Sequence, residues 1–414
     1  MANSLTLSKL QEAIAGNHAA IRLIVRLQPA GGPGSKVFPP THSGGVYAWE
    51  RRRLANGEVV ETVLLDSVQS QANRMEQALL EACRAKKLKL PMLRVDFSKE
   101  FPDIGVITTL DAPHRIADAI FRDSMLNGKK FRDSDIGQAF VQANIRNATA
   151  LFQHCPHALI FGVWDSTGSK GGLGNKFQRA VTSEIIGIRA EEGVRTSSRI
   201  DPLGITKAAE VFETDDGDWT LDSARAKKTE RGDSKKAKPS DFVHGNIPPD
   251  FSRYDQKQNK GPLRTMYKEI RDGDVLPGGV TIDHAIQTTV LSFPALRRLR
   301  FPLNGKETEE GNAVARTVLA ALALTAIAHL REQGYDLRSR CLLIPEGDSP
   351  FELIANDGTV EPFSLKSAEA DALFAEAVKL ATQLLPWQEE PVSLTPEKRL
   401  VELVRKSREA KSTE

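Results

Sequence analysis

The stretch SKGGLGNKFQRA, residues 169–180, sets Lys170, Lys176 and Arg179 among three glycines. Glycines let backbone N–H groups turn toward an anion, and neighbouring cations suit a phosphate. The spacing is wrong for a nucleotide. A Walker-type loop ends in Gly-Lys-Ser/Thr, whereas Lys176 follows Asn175 and precedes Phe177. The G-x-G-x-x-G dinucleotide pattern also fails, because Phe177 stands where a third glycine belongs after Gly172 and Gly174. Two readings stay open: a grip on a nucleic-acid backbone, or a sharp turn whose lysines are merely solvated.

Other cations come in small clusters. Arg22 and Arg26 share one face of AIRLIVRLQ (20–28), since positions four apart agree in strand parity. Asn73 and Arg74 begin a helix after SVQSQ, and Arg195 and Arg199 flank TSS. Arg297, Arg298 and Arg300 sit in ALRRLRF without an acid nearby. Beside Phe177, Phe293 and Phe301 these clusters fit a groove that follows a single strand, although each alone also reads as a solvated face.

Other chemistry is sparse. HCPH (154–157) has no second pair at metal-ligand spacing and reads as a loop before a strand. Asp96, Asp103, Asp111 and Asp165 are the candidates for metal-assisted cleavage, but scattered acids more often cap helices and turns. No G-x-S-x-G nucleophile setting occurs. No metal or cofactor is implied.

The 414 residues carry a formal net charge of +2, so any basic surface must come from local clustering. Three widely spaced cysteines argue for a reducing compartment and against a disulfide framework. No signal peptide is visible, and the cytoplasm is the expected location. The most apolar run, 313–330, is interrupted by Arg316 and reads as a buried helix rather than a membrane span.

The elements that must position these groups follow from periodicity. Strands are expected over 20–28, 59–67, 158–164, 278–293 and 341–346, and helices over 68–83, 113–126, 313–332 and 367–384. Five acids in 213–222 precede seven bases and two acids in 225–238, which predicts a mobile insertion without a core. The tail 394–414 reads as helical or disordered. The pattern is α+β.

Five segments in one order, LLDSVQSQANRMEQAL (64–79), HRIADAIFRDS (114–124), the 158–188 block, VRTSSRIDPLGI (194–205) and SFPALRRLRFP (292–302), resemble a known family. It is the CRISPR-associated RAMP protein that forms the backbone of type I-G (formerly I-U) Cascade complexes. The resemblance spans about 20–350. It implies an RRM-like (ferredoxin-like) palm with finger and thumb insertions: a first palm part with the finger over 1–190, thumb and charged insertion over 191–275, a second palm part over 276–390, and a tail over 391–414. It further implies copies stacked in a helical filament along a CRISPR guide RNA, which pairs with target DNA in antiviral defence. The implied partners are a fused guide-processing and capping subunit, a large subunit and, indirectly, a nuclease-helicase, with no membrane. By this analogy Asn73 and Arg74 lie near the guide, and Lys170, Lys176 and Arg179 in its glycine-loop region. Arg22, Arg26, Arg199, Arg297 and Arg298 complete the expected RNA-binding set. The expected protein is not an enzyme. The alternatives are a metal-dependent endoribonuclease of a CRISPR RAMP complex and a generic single-strand RNA-binding protein.

Overall fold

A computed structural model describes residues 3–43, 45–167, 176–206, 208–251 and 276–411. Lys170 and the glycines of the 168–175 loop lie outside the described residues. The chain divides into two compact units: Met1–Pro33, Leu64–Ile188 and His284–Glu414 form the first, Gly34–Val63 and Arg189–Asp283 the second.

The first unit is organised around the strand His18–Pro29. Ile21, Leu23, Val25 and Leu27 alternate inward while Arg22, Ile24 and Arg26 face out, as period-two patterning requires. His18–Pro29 pairs antiparallel with His284–Ser292 on one side and Phe351–Ala355 on the other. Val181–Ile188 pairs antiparallel with His284–Ser292, from Val181↔Leu291 to Ile188↔His284. In chain order the helix Val68–Arg84 precedes Val181–Ile188, and the helix Glu309–Gln333 precedes Phe351–Ala355. The result is a β-α-β-β-α-β sequence with an interleaved, all-antiparallel set of four central strands.

Both helices have clear starts. The Ser67 hydroxyl accepts from the Ser70 N–H, and the Thr308 hydroxyl accepts from the Gly311 N–H. Glu309 and Glu310 complement the dipole of the second helix, and Gly334, at φ +80°, stops it. Glu309–Gln333 is the one helix among the described residues long and apolar enough to cross a bilayer, and it is buried inside the protein. Its Arg316 guanidinium donates to the Leu299 carbonyl, which allows a cation in an otherwise apolar helix.

A second sheet in this unit runs in the order Val106–Thr108, Leu93–Asp96, Val392–Pro396, Ser124–Leu126, Lys129–Lys130. Val392–Pro396 lies between two strands and is parallel to Leu93–Asp96. The helix Lys398–Lys411 follows, with Arg405 on Glu100 and Arg408 on Asp103. The residues read as a tail therefore supply a central strand.

Several expected elements differ. ALIFGVW is not a strand: His157–Phe161 is a buried helix, and only Val163–Trp164 is extended. A short apolar run satisfies either period, and Gly162 breaks it. The helix over 113–126 is divided into a 3₁₀ turn at Arg115–Ala117, a short helix at Ala119–Arg122 and the strand Ser124–Leu126, because the Asp118 carboxylate caps a new start at the Ile120 N–H. The strand over 278–293 is two strands, Pro277–Thr281 and His284–Ser292.

The second unit contains small antiparallel sheets: Glu191–Val194 with Pro277–Thr281, Thr196–Arg199 with Ile247–Phe251, and Trp219–Thr220, Val211–Glu213, Lys236–Ala237 in that order. The last of these uses the segment expected to be a mobile, coreless insertion. Two of its bases return to one of its acids, with Lys235 2.6 Å and Lys227 3.6 Å from the Glu213 carboxylate. Separated charges along the sequence therefore did not preclude short ordered strands here.

Leu394, only 1% exposed, tests the role of the C-terminal strand. Leu394→Ala should cost ~2–5 kcal/mol in urea unfolding, the range for a buried leucine. A loss of only a few tenths would mean the strand merely decorates the surface.

Candidate nucleic-acid interface

The described end of the glycine loop is a two-stranded stem. Val163–Trp164 pairs antiparallel with Lys176–Phe177, Trp164 facing Lys176 and Val163 facing Phe177. Parity assigns the sides: Val163 and Phe177 are buried at 5% and 4%, whereas Trp164 is 53% exposed. The Lys176 ammonium lies 5.7 Å from the centroid of the Trp164 ring, a cation–π contact worth about 0.5–1 kcal/mol at an exposed site.

The stem is held from below. Gly162 takes φ +83°, and a Cβ there would lie 3.0 Å from Arg179 Cγ and 3.1 Å from the Phe177 carbonyl oxygen. Conformation and space both call for glycine. Arg115 donates to the Gly162 carbonyl at 2.9 Å and to both Glu76 carboxylate oxygens at 2.6 Å. One residue past Trp164, Asp165 is buried and accepts from Arg132 at 2.8 Å and from the Thr167 N–H at 3.0 Å.

Two further expected cations lie close to this stem. Arg179 is half-buried and donates to the Phe161 carbonyl at 3.2 Å; burial, then the nearby Arg115 charge, pushes its guanidinium below the ordinary range. Arg298 is exposed and donates to the Gln178 side-chain carbonyl at 2.8 Å. Gln178 is itself exposed, two residues beyond Lys176.

The remaining expected residues are engaged elsewhere. Arg297 donates to the carbonyls of Ala13, Ile14 and His18, closing the C-terminal end of the helix Leu7–Ala15. Arg74 pairs with the buried Asp66 at 2.9 Å and donates to the Leu337 carbonyl, while Asn73 beside it is exposed. On the outward sheet face Arg22 pairs with Glu352 at 2.6 Å, and Arg26 pairs with Glu346. Arg199 ends the strand Thr196–Arg199 in the second unit.

Two participants escaped the sequence reading. Trp164 was hidden by treating 158–164 as one strand; the parity of Val163 was the usable signal. Arg115, at φ +54°, carried none, because its partners lie 39 and 47 residues away. Burial pushes the Glu76 carboxyl up to about 7, with the Arg115 charge acting against that shift.

HCPH is a core feature. His157 is fully buried, its Nε2 is 3.1 Å from the Thr109 carbonyl and 3.3 Å from Cys155 Sγ, and burial pushes its pKa down to about 3. His154 is pushed down to about 4 by the same cause, and the Cys155 thiol up to about 12. The four candidate carboxylates are dispersed in their engagements. Asp165 is held by Arg132, Asp103 by Arg408, Asp111 accepts from Thr108, and Asp96 from the Ser98 N–H. Among the described residues no three His, Cys, Asp or Glu side chains are grouped to hold a metal.

Residues 21–192 match the family described as CRISPR-associated protein GSU0053. The match includes the central strand from Ile21 onward, the helix Val68–Arg84 and both strands of the Trp164–Lys176 stem. The matched residues, somewhat under half of the chain, are similar to a family of CRISPR-associated proteins, which supports a role in a CRISPR system. No curated protein matches the chain.

Two outcomes follow from these environments. The His154 and His157 rings should stay neutral between about pH 5 and pH 8, where an exposed histidine titrates. Imidazole proton shifts in an NMR titration check this, and a midpoint near the ordinary value for His157 would contradict its burial. Arg297→Ala should lower the thermal midpoint by releasing three carbonyls, whereas Arg298→Ala should leave it within error. Equal midpoints for the two variants would refute the division between a packing and a surface arginine.

Proposed function

We propose that the protein is a non-catalytic RNA-binding backbone subunit of a type I-G Cascade effector complex. The observation that carries this reading is the coincidence of a CRISPR-family match with a rigid stem presenting Lys176 over Trp164 beside Arg298. In this reading the β-α-β-β-α-β sheet is an RRM-like palm, and the thumb lies within 191–275. Copies stack along the guide RNA, and exposed guide segments pair with target DNA. The capping subunit and the large subunit complete the particle, which recruits a nuclease-helicase.

The chemistry suits the task. A guide has arbitrary sequence, so its carrier must grip the backbone and leave base edges free for pairing. Lys176 and Arg298 are exposed cations whose nearest partners at the stem are a neutral ring and a neutral amide. The ribonuclease alternative has less support, since Asp165, the carboxylate nearest the stem, is buried against Arg132.

Co-expression with a CRISPR array and its processing subunit should yield a large ribonucleoprotein; a nucleic-acid-free monomer under those conditions counts against the proposal. Replacing Lys176 and Arg298 by Ala should weaken guide binding about equally for unrelated sequences. It should also flatten the log–log salt dependence by roughly 0.7 for each single-strand phosphate that is no longer gripped. An unchanged slope would leave the stem cations as ordinary solvated side chains.

A further inference from the structure

We propose that Trp164 is a stacking platform for one unpaired nucleobase of a single-stranded RNA, an inference that rests on the function proposed above. The indole is exposed because Val163 and Phe177 occupy the buried side of the stem, so the fold itself has no use for the ring there. Trp387 shows the contrast: its ring packs against Phe152 and Phe374 at centroid distances of 5.2 and 6.0 Å. Trp164 instead carries an ammonium over its ring and leaves more than half of its surface to solvent.

The surroundings select the ligand class. Lys176 over the ring and Arg298 on Gln178, two residues along, supply positive charge, and Asp165, next in sequence to Trp164, is buried and paired with Arg132. An exposed aromatic ring with cations nearby suits the alternation of base and phosphate along a single strand. Stacking on a π-face tolerates any base, as a carrier of arbitrary guides requires. The platform is also pre-organised. Arg115 holds the Gly162 carbonyl two residues before the ring, and Asp165 anchors the chain one residue after it. Little ordering is left to offset on binding.

The test uses the full-length protein with two probes of equal length, an oligouridylate and the corresponding abasic ribose-phosphate strand. Trp164→Ala should weaken oligouridylate binding about tenfold, within the range measured for removal of one base–aromatic stack. It should leave the salt slope unchanged and weaken abasic-strand binding far less, because both cations are retained although Lys176 loses its aromatic partner. Trp164→Phe should recover most of the affinity, and tryptophan fluorescence quenching by oligouridylate should fall in that variant. Unchanged oligouridylate affinity in Trp164→Ala, or an equal loss on the abasic strand, overturns the platform. If the Lys176 and Arg298 substitutions still flatten the salt slope, the RNA-grip reading survives that result. If they do not, both fall.

Discussion

The buried ion pair between Glu76 and Arg115 is the constraint on which the candidate interface depends. Glu76 lies on the inward side of the helix Val68–Arg84, and Arg115 meets both of its oxygens while donating to the Gly162 carbonyl. One guanidinium therefore ties this helix to the turn from which the stem emerges. Such a pair loses hydration on both partners, and removing either one typically costs about 3–5 kcal/mol because the other is left charged and dry. Bidentate geometry and the third bond to a backbone carbonyl are what make the burial tolerable. Arg115 accepts a left-handed backbone to reach this position. The stem's location is thus set by electrostatics in the interior rather than by the loop's own sequence.

A second polar network sets the register of the sheet beneath the same helix. Gln71 donates to Asp66 at 2.6 Å and accepts from Ser183 at 2.9 Å and from Gln287 at 2.8 Å. Ser183 also meets Thr289 at 2.8 Å, and Tyr335 donates to Gln287 at 3.1 Å. A one-residue slip of either strand would turn Ser183 or Gln287 outward and strand the buried amide of Gln71. Arg74 and Arg338 converge on Asp66 from the edge of this network. Arg74 thus holds together the ground on which the first helix sits, a demand that a count of basic residues does not reveal.

What the sequence disclosed follows the same division. Alternation in AIRLIVRLQ gave both the strand and the outward side of Arg22 and Arg26, because a one-sided sheet leaves a period-two record. The all-round apolar helix after Thr308 was equally plain, as was its stop at Gly334. The run 158–164 was not, since a short fully buried segment leaves no contrast between faces. Parity could say which way a cation points but not what it meets. Arg297 and Arg298 are adjacent, yet one closes a helix end 283 residues away and the other reaches only Gln178. Residues 392–396 looked like a tail because their strand partners lie some 300 positions earlier in the chain.

Charge pairing separates the stem cations from the sheet-face arginines that sequence parity groups with them. Several surface arginines face carboxylates: Arg22 with Glu352, Arg26 with Glu346, Arg189 with Glu58 and Asp283, Arg408 with Asp103. Beyond a Debye length of about 8 Å such pairs present almost no field. Lys176 and Arg298 are held instead by an aromatic ring and an amide, partners that orient a cation without neutralising it. A polyanion passing the stem would therefore find a local attraction there even though the chain's formal charge is only +2.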